Sequence, residues 1–468
     1  MAQGAAYRSV FRNAAYIFFI KLFPAFSAIA VLILYSRQLP QDVYGNYQEV
    51  WVKLILLGTL AYAGLPVTII TYPAEVIKSF ARQIKAKNYI IYTAWFALWA
   101  VIFAWLGRLG LNLSASLCTG LILLYVVHAV QESLLVATQK MNGLLILNLL
   151  YAVYFLIVHL QALNDFDLAQ LLWYLLMGMI VRAALLCVLI FLVYKNVNDT
   201  VVSDDLGKAR NLWLHLGFYD LMQNIFRFID KFILSIFLSA GLYAIYFNGS
   251  QTAEVPFLPY LFGAVSSSVL IELSNKNSDP SQSYKLLHKS GKMMACVIFP
   301  LFFFLWFFSG EIFSVVLTEK YSSSVPIFLA AILVLPLRTY NYTTMLQHLH
   351  QGALINKGAL LDLFLALTLM YPFYLLFGLP GIALSLVVST YVQVGYYLHR
   401  TSRLINVPVK QLLPLQNWVI KFLSFGVLLF ASHFLLATFV DAKIVVVAGA
   451  VIAFVMGLVA FRLELRKK

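Results

Sequence analysis

The chain has 468 residues, of which 62% are hydrophobic and 11% charged, with a mean hydropathy of +0.86 and a net charge of +14. A soluble domain is roughly 45–50% apolar and about 25% charged, so this composition leaves too little polar surface to cover a water-facing globule. A soluble enzyme, a nucleic-acid-binding domain and a secreted disulfide scaffold are excluded, and the positive charge calls for an explanation in topology.

Apolar runs long enough to cross a bilayer, about 18–25 residues each, recur along the whole chain. They predict an all-α polytopic membrane protein with helices near 14–36, 47–73, 89–107, 115–137, 143–163, 171–194, 213–237, 242–271, 294–317, 325–347, 359–377, 380–398, 418–438 and 444–461. Gly378-Leu379-Pro380-Gly381 leaves room only for a tight hairpin between the eleventh and twelfth of these fourteen. The eighth carries Pro256 and Pro259 and is expected to tilt or break. The first contains Lys21 and ends without small-residue cleavage chemistry, so it reads as a span rather than a signal peptide. Cys118, Cys187 and Cys296 all fall inside apolar runs, where they read as small buried packing residues.

Loops rich in Lys and Arg stay cytoplasmic. With the N-terminus inside, the inner segments hold 22 basic residues, Lys78, Arg82, Lys85 and Lys87 among them. The outer segments hold four: Arg37, Arg108, Lys320 and Lys443. The asymmetry places both termini in the cytoplasm and accounts for the basic character without a nucleic-acid partner.

The chain also repeats itself. Leu39, Tyr44 and Tyr47 after the first span match Leu238, Tyr243 and Tyr246 after the seventh at an offset of 199 residues, and Gly64 falls on Gly263 at the same offset. Six spans separate the copies, so both halves share one orientation and are related by an axis along the membrane normal. The expected organisation is a lobe over 1–194, a cytoplasmic linker over 195–211, a second lobe over 212–400, and an interfacial segment with two further helices over 401–468.

A charge at the bilayer centre costs roughly 2.5–3.5 kcal/mol, so intramembrane bases mark a polar interior or a site. Lys53 and Lys421 lie near helix ends and are expected to snorkel. Lys21, Arg182, Arg227, Lys231 and Arg338 remain. Such a set suits a multiply anionic ligand, and Arg, with its two-pronged donor geometry, suits phosphate best. Internal pairing is the competing reading, because Glu132, Asp220, Asp230, Glu254 and Asp362 are also intramembrane. Tyr340 and Asn341, beside Arg338, are candidates for sugar contacts. No HExxH, GxSxG or P-loop occurs, and His128, His159, His348 and His350 have no acidic constellation in sequence beside them. Catalytic residues, metal sites and cofactors are therefore not expected, and binding with translocation is favoured over chemistry.

Arg227-Phe-Ile-Asp230-Lys231-Phe-Ile-Leu-Ser-Ile-Phe-Leu-Ser239, followed by Gly241-Leu-Tyr243, resembles the seventh-span signature of polysaccharide flippases in the multidrug/oligosaccharidyl-lipid/polysaccharide exporter superfamily. Leu39-Pro-Gln-Asp-Val-Tyr44-Gly-Asn-Tyr47 and Leu317-Thr-Glu-Lys-Tyr321 are similar to that family too, and the likeness extends over roughly residues 8–400. The resemblance implies two six-helix lobes around a cavity that opens alternately to each side. It implies a substrate, an undecaprenyl-diphosphate-linked oligosaccharide moved from the cytoplasmic to the outer leaflet of a bacterial inner membrane for polysaccharide or O-antigen export. Other membrane proteins of polysaccharide assembly and membrane lipids would be its partners. By position, Lys21, Arg227 and Arg338 come closest to the diphosphate-binding role, with Arg182 and Lys231 beside them. Asp220, Glu254 and Asp362 are candidates for a coupling ion, H+ or Na+. A cation-coupled multidrug antiporter of the same superfamily is the first alternative, and a membrane polysaccharide polymerase or acyltransferase the second.

Overall fold

The computed structural model describes residues 20, 22–138, 141–197, 206–253 and 280–466, and every described element is helical. Lys21, Glu254 and Gly263 lie outside the described residues. The helices are α1 (Leu22–Gln38), α2 (Gln41–Tyr62), α3 (Leu65–Thr71), α4 (Ala74–Gln83), α5 (Ala86–Leu111), α6 (Ala115–Ala137), α7 (Asn142–Gln161), α8 (Leu168–Tyr194), α9 (Leu206–Phe237) and α10 (Ala240–Thr252). They continue with α11 (Pro280–Phe307), α12 (Ser309–Val316), α13 (Val325–Ile332), α14 (Thr344–His348), α15 (Gly352–Phe377), α16 (Leu379–Ile405), α17 (Val409–Leu412), α18 (Leu415–Phe439) and α19 (Ala442–Arg466). Among the described residues nine helices are long and apolar enough to cross a membrane, or ten if α2 and α3 form one bent span. The protein is a multi-pass membrane protein; the count of fourteen spans is not established.

Local chemistry sets several helix ends. The Ser114 hydroxyl accepts the Leu117 N–H at the start of α6, and the Asp167 carboxylate accepts the N–H groups of Ala169 and Gln170 at the start of α8. Three expected straight spans are broken, 294–317 at Phe308 between α11 and α12 among them. Residues 47–73 bend by 55° between α2 and α3, where Ala63 (φ 50°) and Gly64 (φ 71°) adopt the left-handed conformation. Residues 325–347 form α13, a 3₁₀ turn over Leu335–Thr339 and the short α14, with Tyr340 extended between the last two. Pro336 supplies the cause, because it has no N–H to donate and its ring crowds the preceding turn. The hairpin between α15 and α16 is as expected, with Gly378 at φ 65° and ψ −147°.

The chain divides into two compact units, Met1–Ala244 and Ile245–Lys468. In the first, α6 is central and packs on α2, α3, α5 and α8, while α9 packs along α2 and α3. Gly64 permits the inner part of that contact: a Cβ there would fall 2.1 Å from the Gly217 Cα, and the Trp213 indole donates to the Ala63 carbonyl at 2.7 Å. The tyrosines of the repeat are structural. Tyr44, Tyr47, Tyr243 and Tyr246 are all buried. In both copies the chain leaves one helix (at Gln38 and Phe237) and starts the next (at Gln41 and Ala240) at the same relative positions. His159 explains Tyr47. Its Nδ1 lies 2.7 Å from the Phe155 carbonyl, which can only accept, so Nδ1 holds the proton and Nε2 accepts the Tyr47 hydroxyl at 2.9 Å.

In the second unit, α15 and α16 pair closely, α16 covers α13, and α18 and α19 pack on α11. A core of Leu287, Tyr340, Met345, Ile405, Val407 and Leu412 anchors the segment between α16 and α18. The outward faces of α18 and α19 are apolar, Val427, Phe434, Phe439 and Val447 included, as lipid contact requires.

Candidate functional site: a polar interior in the first unit

Arg182, at mid-helix in α8, points inward. Its Nη2 donates to Oε1 of Glu132 on α6 and to Oδ1 of Asn148 on α7 at 2.7 Å. The guanidinium lies over the Tyr151 ring, 4.8 Å from the centroid, and its Nε has no partner. Asn148 is itself held, donating from Nδ2 to the Ile20 carbonyl at 3.2 Å. One turn before Glu132, His128 is buried in the electrostatic field of Arg182, with Nε2 unpartnered. Gln131 donates to the Ala183 carbonyl at 3.0 Å and to the Cys187 Sγ at 3.1 Å.

Tyr125, two turns before Glu132 on α6, extends this interior toward α9. It stacks on Tyr62 of α2 at 6.4 Å and interacts electrostatically with Glu132, Asp220 and Arg227. Asp220 accepts from Asn224 at 3.3 Å and is hydrogen-bonded with Tyr62. Arg227, one turn beyond Asn224, is exposed. The structure joins Arg182 to Glu132, Asn148 and Tyr151, and sets Asp220 and Arg227 of α9 in electrostatic reach of Tyr125, which Glu132 also acts on.

Of the other described candidates, Lys231 follows Arg227 on α9 and the rest lie in the second unit. Lys231 is buried, pairs with Asp230 at 3.6 Å and donates to the Arg227 carbonyl at 3.2 Å. Asp230 therefore neutralises Lys231. In the second unit, Arg338 is exposed and lies in the field of Asp362 and Tyr342. Asp362 is buried on α15 next to Ser389 and Thr390 of α16, with Oδ1 unpartnered. Tyr340 packs against Tyr342 and Trp418 in the core, and Asn341 accepts from the backbone N–H and hydroxyl of Thr343. Among the described residues no group of three His, Cys, Asp or Glu could hold a metal.

Two expectations are corrected. Lys53 and Lys421 do not snorkel. Lys53 is buried and pairs with Glu49 one turn earlier. Lys421 meets Glu464 of α19 at 3.1 Å and the Lys292 carbonyl of α11 at 2.6 Å. Each has a carboxylate within reach, so neither charge is buried alone. Cys187 departs from the packing role as well: Cys118 and Cys296 are buried, but Cys187 is exposed. From the sequence Glu132 reads only as a neutralising acid, and Asn148 and Tyr151 are not singled out at all. The one available signal is their polarity within apolar helices, since spatial partnership with Arg182 depends on how α6, α7 and α8 pack.

The family model for polysaccharide biosynthesis proteins matches residues 86–326, just over half of the chain, and the chain belongs to that family. No curated protein matches it in sequence. Among solved structures it is similar to the lipid II flippase MurJ in an inward closed conformation, at 16% identity and a TM-score of 0.64, covering 96% of this chain and 98% of that one. It is also similar to an inward-facing multidrug resistance MATE family transporter of the MOP superfamily (14% identity, TM-score 0.59, covering 83% and 96%). A MOP superfamily transporter from Pyrococcus furiosus, described as having a binding pocket of reversed polarity, matches at 13% identity and a TM-score of 0.56, covering 85% and 95%. The chain shares the fold of these transporters and of this flippase.

Proposed function

We propose that this chain moves an undecaprenyl-diphosphate-linked oligosaccharide from the cytoplasmic to the outer leaflet of a bacterial inner membrane, by alternating access. The observation that carries this reading is Arg182, held at mid-helix among Glu132, Asn148 and Tyr151 in the first unit, with Arg227 of α9 as the second base proposed for the headgroup. Two guanidinium groups offer parallel hydrogen bonds to phosphate, and aromatic rings offer flat surfaces for sugars. Membership of a polysaccharide biosynthesis family and a flippase-like fold support it.

On this reading the headgroup enters from the cytoplasm while the lipid tail stays in the bilayer. The two repeats, 1–194 and 212–400, then rock about the site and release the headgroup outside. The inside-negative potential favours outward movement of the anion by about 2.3 kcal/mol per charge per 100 mV. Asp220 and Asp362 are the described candidates for binding a coupling H+ or Na+, with Glu254 as a third. Lys21 and Arg338 would receive the headgroup at other stages of the cycle, and Tyr340 and Asn341 would act there by shaping the strand-like break beside Arg338.

A second reading, a multidrug antiporter, draws support from Asp220 and Glu132, acids that would attract a cationic drug, and from the MATE-like fold. Reconstituted protein separates the two. The flippase reading expects a fluorescent diphosphate-linked oligosaccharide lipid to change leaflet and cationic dyes to stay where they are. Dye movement driven by an ion gradient, without lipid transfer, would favour the antiporter.

A further inference from the structure

Arg182 faces two kinds of partner. Asn148 is almost wholly enclosed, at 1% exposed, and is held at its far end by the Ile20 carbonyl. Glu132 meets Arg182 through one carboxylate oxygen only, and its side chain remains 36% exposed against 11% for Arg182. An anion arriving at the guanidinium can therefore replace the carboxylate but not the amide. Both phosphate and carboxylate seek the same charge-assisted donors.

The groups around Glu132 set its response to such an anion. Along α6 stand His128 and Tyr125. From α7 come Tyr151 and the neutral Asn148, and from α8 Arg182 and Cys187. α2 contributes Tyr62, stacked on Tyr125, and its charged pair Glu49 and Lys53 binds internally nearer its start. α3 has no titratable side chain, and the charged residues of α5 sit near its ends at Lys87 and Arg108. From α9, Asp220 and Arg227 act on Tyr125 together with Glu132. Arg182 is thus the one cation hydrogen-bonded to Glu132 among the described residues. A carboxylate that loses its cation to a bound anion, and gains that anion as a neighbour, is driven toward its protonated form.

We infer that Arg182 is shared between Glu132 and a diphosphate ligand, so that binding the diphosphate displaces Glu132 and makes it take up a proton. This rests on the reading of Arg182 as a phosphate-binding group. The proton comes from water or buffer, the O–H bond on Glu132 is the only one formed, and the exchange reverses when the ligand leaves. By linkage, affinity for the diphosphate rises as pH falls.

Calorimetric binding of undecaprenyl diphosphate to the full chain in detergent, repeated in buffers of different ionisation enthalpy at pH 7.5, counts the protons. Inorganic diphosphate in a parallel series separates headgroup chemistry from lipid contact. Wild type is expected to take up about half to one proton more per bound diphosphate than Glu132→Gln. The variant keeps the acceptor oxygen, is expected to bind about tenfold more tightly because the competing charge is gone, and loses most of the pH dependence. Glu132→Ala serves as a second variant should the first fold poorly. Binding with the same proton count in wild type and both variants would overturn the inference while leaving the phosphate site standing. Absence of binding to either diphosphate, in folded protein, would overturn the site reading and the inference with it.

Discussion

In the first unit Arg182 meets a Glu132 side chain that is 36% exposed, whereas in the second Lys421 meets Glu464 with the two side chains only 11% and 8% exposed. The chemistry is similar in both, a base and an acid on neighbouring apolar helices. Their surroundings differ. Lys421 and Glu464 also engage the Lys292 carbonyl and Asn417, and they bind α18 and α19 to α11. Arg182 keeps an unpartnered Nε and an aromatic face. Enclosure on all sides marks a pair that holds helices together; on the proposed reading, the exposed side of Glu132 is where a ligand enters.

The enclosed pair should respond most strongly to substitution. Lys421→Met leaves the Glu464 carboxylate buried without its cation and should cost about 3–5 kcal/mol, read as a lowered melting temperature in detergent. Lys421→Met combined with Glu464→Met should recover most of that loss, and no recovery would show that the pair does more than neutralise itself. In the open cluster, Asn148→Ala removes both the acceptor for Arg182 and the donor to Ile20. A loss of about 1–3 kcal/mol is expected, with weaker diphosphate binding measured beside it. Stability lost with binding intact would confine Asn148 to packing.

Smaller effects sharpen the contrast at positions without enclosed charge. A Cβ at Gly378 would meet nothing within 4 Å, so Gly378→Ala isolates the strain of its positive φ. About 1–3 kcal/mol is expected, and an unchanged melting temperature would mean the hairpin relaxes. The slightest change belongs to His433 and Glu311, paired at 2.9 Å with both side chains roughly a quarter exposed. Glu311→Gln should shift stability by less than about 1 kcal/mol. A larger loss would move that pair into the enclosed class.

Much of this architecture is legible in the sequence because hydropathy acts over whole helices. The apolar runs, the Gly378 hairpin and the chain reversal beside Tyr44 and Tyr243 depend on local composition and turn chemistry alone. The breaks at Gly64 and Pro336 are carried by residues known to interrupt helices, yet membrane helices tolerate such residues often enough that the sequence alone does not decide. Pairing is the hidden part. Lys53 and Glu49, one turn apart, can be read together; Lys421 and Glu464, or Arg182, Glu132 and Asn148, are joined only by packing between helices. Of the candidate site, Arg182, Arg227 and Asp220 are visible as charges in apolar helices. Their company of Tyr62, Tyr125, Tyr151 and Asn148 is not, because polar and aromatic residues are too common in membrane helices to stand out without a neighbour.

The most direct test of a cationic headgroup site is leaflet transfer of a diphosphate-linked oligosaccharide lipid in proteoliposomes. Wild type would be compared with Arg182→Ala, Arg227→Ala and the paired Lys421→Met, Glu464→Met variant, each checked for insertion and folding. Transfer is expected from wild type and from the paired variant, with most of it lost in each arginine variant. Transfer undiminished in both arginine variants would contradict a cationic headgroup site in the first unit.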